Sequence, residues 1–101
     1  MAQEIVWSRE AVNDLESIAE FISKDSEFYA SALVQEVLDA GDSLAELYER
    51  GRVLPELGNK SIREIFIKDY RLIYSIEISR VVILGLIHGK RDLNTLLKKK
   101  K

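Results

Sequence analysis

Residues 62–93, IREIFIKDYRLIYSIEISRVVILGLIHGKRDL, limit the possible folds of this chain more than any other stretch. They read as three short strands in quick succession, predicted at 61–67, 70–78 and 80–87, with Lys68-Asp69 and Ser79-Arg80 as tight turns. In the second strand Tyr70, Leu72, Tyr74 and Ile76 share one face at period two, while Arg71, Ile73, Ser75 and Glu77 share the other. Val81 to Ile87 is apolar throughout, the pattern of a central strand covered on both faces. Strands joined so closely pair antiparallel, and the resulting sheet needs a cover.

The cover comes from the first half of the chain. Residues 3–7 form a predicted first strand, with Ile5 and Trp7 on one face. Ser8 suits an N-cap, with Trp7 and Val12 placed for a hydrophobic staple. Ala11, Leu15, Ile18, Ala19 and Ile22 then recur at helical spacing, while Asp14, Glu16 and Glu20 take the wet side until the helix fails near Ser23–Ser26. Asp25 or Ser26 caps a second helix whose stripe runs through Ala30, Leu33, Val34, Val37, Gly41, Leu44, Ala45 and Tyr48. Gly51 suits its αL terminus, giving a helix on the order of 35 Å long. Gly41 within the stripe lets another backbone approach, at a helix-propensity cost of about 1 kcal/mol. Residues 51–60, GRVLPELGNK, hold the only proline and read as a loop.

The expected fold is therefore α+β in the order β-α-α-β-β-β, a helical hairpin packed on a largely antiparallel four-stranded sheet. With 101 residues of which 47% are apolar, the chain makes one globular domain, expected over residues 1–97. Asp92 to Leu97 is expected to add a short helix, and Lys98–Lys101 to be a disordered tail. No apolar run approaches the ~20 residues that span a bilayer, and MAQEIVW at the start carries no basic residue of the kind a secretory signal has. The chain has no cysteine and one histidine, so neither disulfides nor a zinc or other metal site is expected, and a cytoplasmic location is.

A net charge of −2 hides a strong asymmetry. Residues 1–50 hold twelve acidic against three basic residues, a net of −9, while residues 51–101 hold twelve basic against five acidic, a net of +7. The polarity suits a basic half that meets an acidic partner, or simply helices solvated by Glu and a tail solvated by Lys.

Catalytic fingerprints are lacking: there is no G-x-S-x-G, P-loop, dinucleotide-binding motif or histidine pair at metal-ligand spacing, so no cofactor is expected. The candidate site residues are Arg63, Arg71, His88, Lys90 and Arg91. Arg71 reads either as a cross-strand ion pair with Glu64 or Glu77, or as a guanidinium fork for phosphate or carboxylate; Arg63 carries the same two readings. His88 ends a strand before Gly89 and reads either as a satisfied structural residue or as a hydrogen-bonding or general-acid group beside Arg91.

In their order and spacing, Trp7-Ser8 with Ala11 and Asp14-Leu15, Gly51-Arg52, Pro55-Glu56, Ile62-Arg63-Glu64, Asp69 to Tyr74 and His88-Gly89-Lys90-Arg91 make the chain similar to the ParE/RelE superfamily of bacterial toxins from type II toxin–antitoxin systems. The resemblance implies a cytoplasmic toxin neutralised by a cognate antitoxin, whose disordered C-terminal segment, acidic or amphipathic, wraps around it. The basic half would suit an acidic tail, and grooves beside the helical hairpin an amphipathic helix. No membrane partner and no direct sequence-specific DNA binding are expected.

Two mechanisms are implied. RelE-like members are metal-independent, ribosome-dependent mRNA endoribonucleases that use several basic residues and a C-terminal proton-transfer group. Arg71, Arg91 and Arg63 match such positions, but a further basic position falls on Ile65 and the C-terminal tyrosine position near Leu97, leaving His88 as the substitute. ParE-like members inhibit DNA gyrase and need no catalytic set. Without its Lys tail the chain carries −6, unsuited to tracking phosphates, so the ParE reading is preferred. On it Arg63, Arg71, His88, Lys90 and Arg91 form a partner-contact surface. A module that binds its antitoxin but has lost toxicity is the third reading.

Overall fold

The computed structural model describes residues 2–89. The element order is β1 (Glu4–Trp7), α1 (Arg9–Ser23), α2 (Glu27–Ser43), β2 (Arg52–Val53), β3 (Ile62–Ile67), β4 (Tyr70–Ile76) and β5 (Arg80–His88). The strands form one sheet in the order β1-β5-β4-β3-β2, with β1 parallel to β5 and every other pair antiparallel. The helical hairpin packs on one face, so the α+β layering expected from the pattern holds. The sheet has five strands rather than four. The extra strand is β2, inside the expected loop, where Arg52 pairs opposite Glu64 and Val53 opposite Arg63. Two residues are too few to show alternation, and only the neighbouring strand reveals them.

Local chemistry sets the helix starts. The Ser8 hydroxyl accepts from the Ala11 amide at 3.1 Å and the Ser26 hydroxyl from the Tyr29 amide at 3.2 Å, so each helix opens on a capped turn. Helix α2 is shorter than its apolar stripe implies: 17 residues, about 25 Å, where some 35 Å was expected. After Ser43 the amides of Leu44 and Ala45 bond three residues back, to Gly41 and Asp42, and the chain turns away. Leu44 and Tyr48 still reach the core, but from this turn.

Two glycines act by close approach, though not as their positions in the stripe and loop implied. A Cβ on Gly41 would lie 2.7 Å from the Trp7 indole, so the neighbour is a side chain and not a backbone. A Cβ on Gly51 would lie 2.6 Å from the Tyr74 hydroxyl and 2.7 Å from the Glu64 carbonyl oxygen. Gly51 therefore serves packing and does not cap α2, whose C-cap is Leu44 in right-handed conformation.

The main core lies between helices and sheet, built from Leu15, Leu33, Val37 and Leu44 against Ile65, Ile67, Leu72, Tyr74, Ile83 and Leu86. Each such side chain contributes about 1.5–3 kcal/mol on burial. A smaller cluster, Leu54, Ile73 and Ile87 with Ile62 and Leu84, occupies the opposite face. Strand β5 is an inner strand between β1 and β4. Val81, Ile83 and Leu86 on its helix side are buried, but Val82 and Leu84 are only half-buried, so the cover on both faces that its continuous apolar run implies is partial.

A β-bulge decides which residues reach which face. Ile73 pairs with Gly85 and Tyr74 with Ile83, so Leu84 is extra. Val81 and Ile83 point toward the helices before the bulge, and Leu86 after it. Asp14 on α1 holds the irregularity by accepting from the Leu86 amide at 3.1 Å. Gly85 leaves room for that carboxylate, which would lie 3.0 Å from an added Cβ. Lys68, at φ 53, makes the β3–β4 turn with Asp69 as expected. The expected Asp92–Leu97 helix and the Lys98–Lys101 tail lie outside the described residues.

Candidate functional site

Arg71 is buried, at 4% exposure, on the face of the sheet away from the helices. Of the two readings the sequence allowed, the structure shows the cross-strand ion pair with Glu64, buried rather than exposed, and not an open anion fork. Arg71 Nη1 and Nη2 each donate to an oxygen of Glu56 at 2.9 Å, a bidentate clasp, while Nε donates to Glu64. Glu64 is 1% exposed, and its second oxygen accepts from Arg52 Nε. The Arg52 guanidinium in turn lies 5.1 Å above the Phe66 ring. The row Arg52–Glu64–Arg71–Glu56 thus alternates in sign and cancels. The Glu56 hydrogen bond raises the Arg71 pKa above its ordinary value against the opposing effect of burial, with Glu64 acting in the same direction, so the guanidinium stays charged.

Arg63 serves another purpose. It lies opposite Tyr74, and its Nη1 donates to the carbonyls of Glu49 and Gly51 at 3.1 and 3.0 Å, its Nε to that of Lys60 at 3.0 Å. The bonds to Glu49 and Gly51 hold the segment between α2 and β2 against the sheet, and the bond to Lys60 ties down the loop that leads into β3. Tyr74 completes the clamp, its hydroxyl accepting from the Gly51 amide at 2.9 Å and donating to the Tyr48 carbonyl at 2.8 Å. Burial raises the Tyr74 pKa above the usual 10.0, against the hydrogen bond from Gly51, which lowers it.

His88 is exposed and pairs opposite Tyr70, edge to face with ring centroids 5.7 Å apart. The bulge puts it on the helix side, where Asp14, Ser17, Ile18 and Tyr70 line an open cleft of about 270 Å³ with it. Arg71, opposite Ile87, projects from the other side. The residues grouped together from the sequence are therefore divided among a buried ion-pair row, a backbone clamp and a cleft on the opposite face. Lys90 and Arg91 lie outside the described residues. Sequence reading named Glu64 as a partner of Arg71 but missed Glu56 and Arg52, which come from the aperiodic stretch 51–60; Glu77 pairs with Arg80 instead, at 2.7 Å.

Among the described residues no cluster of three His, Cys, Asp or Glu side chains is placed to hold a metal ion, and no helix is long and apolar enough to cross a membrane.

The chain matches known proteins both in sequence and in fold. Toxin RelE2 of Caulobacter vibrioides is 34% identical over 92 residues, covering 90% of this chain and 99% of that protein. The fold matches a chain of the chromosomal ParDE toxin–antitoxin system from P. aeruginosa with a TM-score of 0.72 at 16% identity, covering 88% of this chain and 98% of that one. It also matches a chain of the toxin–antitoxin complex RelBE2 from Mycobacterium tuberculosis, with a TM-score of 0.64 at 21% identity, covering 87% and 99%. The family model described as "ParE toxin of type II toxin-antitoxin system, parDE" matches residues 5–93, and the chain belongs to that family.

Proposed function

We propose that this toxin inhibits DNA gyrase by binding it in the cytoplasm, and that a cognate antitoxin neutralises it through an acidic or amphipathic C-terminal segment. The observation that carries this reading is the state of Arg71. An RNA-cleaving site needs guanidinium groups open to a phosphate whose charge grows in the transition state. Arg71 is instead clasped by Glu56 and bonded to Glu64 at 4% exposure. Arg63 is occupied by three backbone carbonyls, and His88 projects from the face of the sheet opposite to that of Arg71. Ile65, where the nuclease pattern asks for a basic residue, is buried in the main core. A binding inhibitor requires none of these groups to converge. Antitoxin partners in the P. aeruginosa and M. tuberculosis systems support the expectation of one here.

The test is paired. Purified toxin is added to gyrase with relaxed plasmid, and separately to ribosomes carrying mRNA in the A site. Blocked supercoiling with intact mRNA is the expected result. Cleaved mRNA with unaffected supercoiling overturns the reading in favour of a ribosome-dependent endoribonuclease that uses Arg63, Arg71, His88 and Arg91. Unimpaired growth on expression without antitoxin identifies a module that has lost toxicity.

A further inference from the structure

The helical hairpin carries features that neither the core nor the ion-pair row uses. Residues 9–43 hold nine acidic residues against Arg9 and Lys24, a net of −7. Eight of the nine are exposed, the half-buried Asp14 being the exception. Among the described residues the only ion pair to any of them is Lys68 to Glu36, at 3.4 Å. Glu16 and Glu20 stand one turn apart on the same face of α1, a like-charge arrangement that opposes helix formation. Folding gives no return for it.

At the tip of the hairpin three aromatic rings stand in water. Phe21 is 70% exposed, Phe28 77% and Tyr29 66%, and the last two meet edge to face with centroids 5.8 Å apart. Beside them an open crevice of about 600 Å³ runs between the helices, with Ala19, Ser23, Ala30 and Ser31 among its small lining residues and Glu20 and Glu27 at its sides. Exposed aromatics beside a concave groove mark an interaction surface. The charge around them specifies the partner: a surface rich in Lys and Arg with apolar recesses.

We infer that the acidic, aromatic-tipped hairpin is the surface with which this toxin docks on its topoisomerase target, and that it occupies a basic face that otherwise holds DNA. The inference rests on the gyrase reading above. Proteins that grip duplex DNA do so with Lys and Arg placed against phosphates, and an acidic helical surface meets the same groups. Phe21, Phe28 and Tyr29 supply the desolvated contact that charge alone does not. Attraction between such surfaces is screened over about 10 Å at 0.1 M salt and about 3 Å at 1 M, so binding weakens as salt rises.

The test uses the full chain, fluorescently labelled, and purified gyrase, with binding followed by anisotropy. Wild-type toxin is expected to bind and to be displaced by short duplex DNA. Glu20→Lys with Glu27→Lys, and separately Phe28→Ala, are expected to weaken binding by about tenfold or more. Ile78→Ser, at a fully exposed apolar site on the far β4–β5 turn, is expected to change nothing. If the lysine pair unfolds the chain, Glu20→Gln with Glu27→Gln replaces it, with thermal unfolding as the control. Wild-type affinity in the hairpin variants, or no displacement by duplex DNA, overturns the docking surface while leaving gyrase as the target. A wild-type toxin that does not bind gyrase overturns both.

Discussion

On the open face of the sheet, Arg52, Glu64, Arg71 and Glu56 alternate in sign, and the inner two have almost no contact with water. On the helical hairpin, nine acidic residues face two basic ones and nearly all stand in solvent. The contrast separates two uses of charge in one small molecule. A buried charge must be matched, because an unpaired one costs several kcal/mol, so Glu64 and Arg71, the buried members of the row, each meet opposite charge. An exposed charge costs little, so the hairpin can carry an excess that another molecule neutralises. The arginine that looked most like a phosphate hook belongs to the first class.

The largest effect is expected at Glu64. Glu64→Ala leaves Arg71 buried without its inner carboxylate and is expected to cost about 3–5 kcal/mol, measured by urea unfolding. A loss below about 1 kcal/mol would show the row to be solvated and would erase the contrast. Gly51→Ala comes next: the new methyl meets the Tyr74 hydroxyl and the Glu64 backbone at under 3 Å, so about 1–3 kcal/mol of overpacking is expected in the same measurement.

Tyr74→Phe removes a hydroxyl bonded to both Gly51 and Tyr48, and about 1–3 kcal/mol should go with it. It also carries a pH signature. Because burial raises the folded-state pKa above 10.0, the Tyr74 contribution is fully present below that value. It is lost as pH climbs from there through the folded-state pKa. Stability of the wild type should therefore fall on the alkaline side more steeply than that of Tyr74→Phe. Matching alkaline limbs for the two proteins would remove Tyr74 from the clamp.

The smallest effect is expected on the hairpin. Glu20→Gln relieves repulsion from Glu16 and should stabilise the fold by about 0.2–0.5 kcal/mol, read as a small rise in thermal midpoint. A clear loss of stability there would mean that the acidic face does structural work, and the two regions would no longer differ in kind.

Much of the fold was legible because periodicity is local. Ala11, Leu15 and Ile18 marked the inner side of α1 without reference to any other element, and alternation from Tyr70 to Ile76 marked the faces of β4. Ser8 and Ser26 marked helix starts because a cap is a bond across three residues. Legibility stopped where the partner lay far along the chain. The stripe beyond Ser43 continued in the sequence, yet the chain turned there. At the candidate site, Arg71 and Glu64 were readable as cross-strand neighbours. Nothing local told that Glu56, fifteen residues before Arg71, would fold back to clasp it.

By itself, then, the sequence determined the order of the two helices and of the four longer strands, their apolar stripes and the family, since each depends on spacing within a few turns or on a match along the whole chain. The tertiary structure alone decided the fifth strand, the bulge at Leu84 and the assignment of basic residues to opposite faces of the sheet. The physical reason is common to all three. Pairing register, which side a strand end presents and which carboxylate meets a guanidinium are settled by contacts between distant segments, and a one-residue slip reverses every face beyond it.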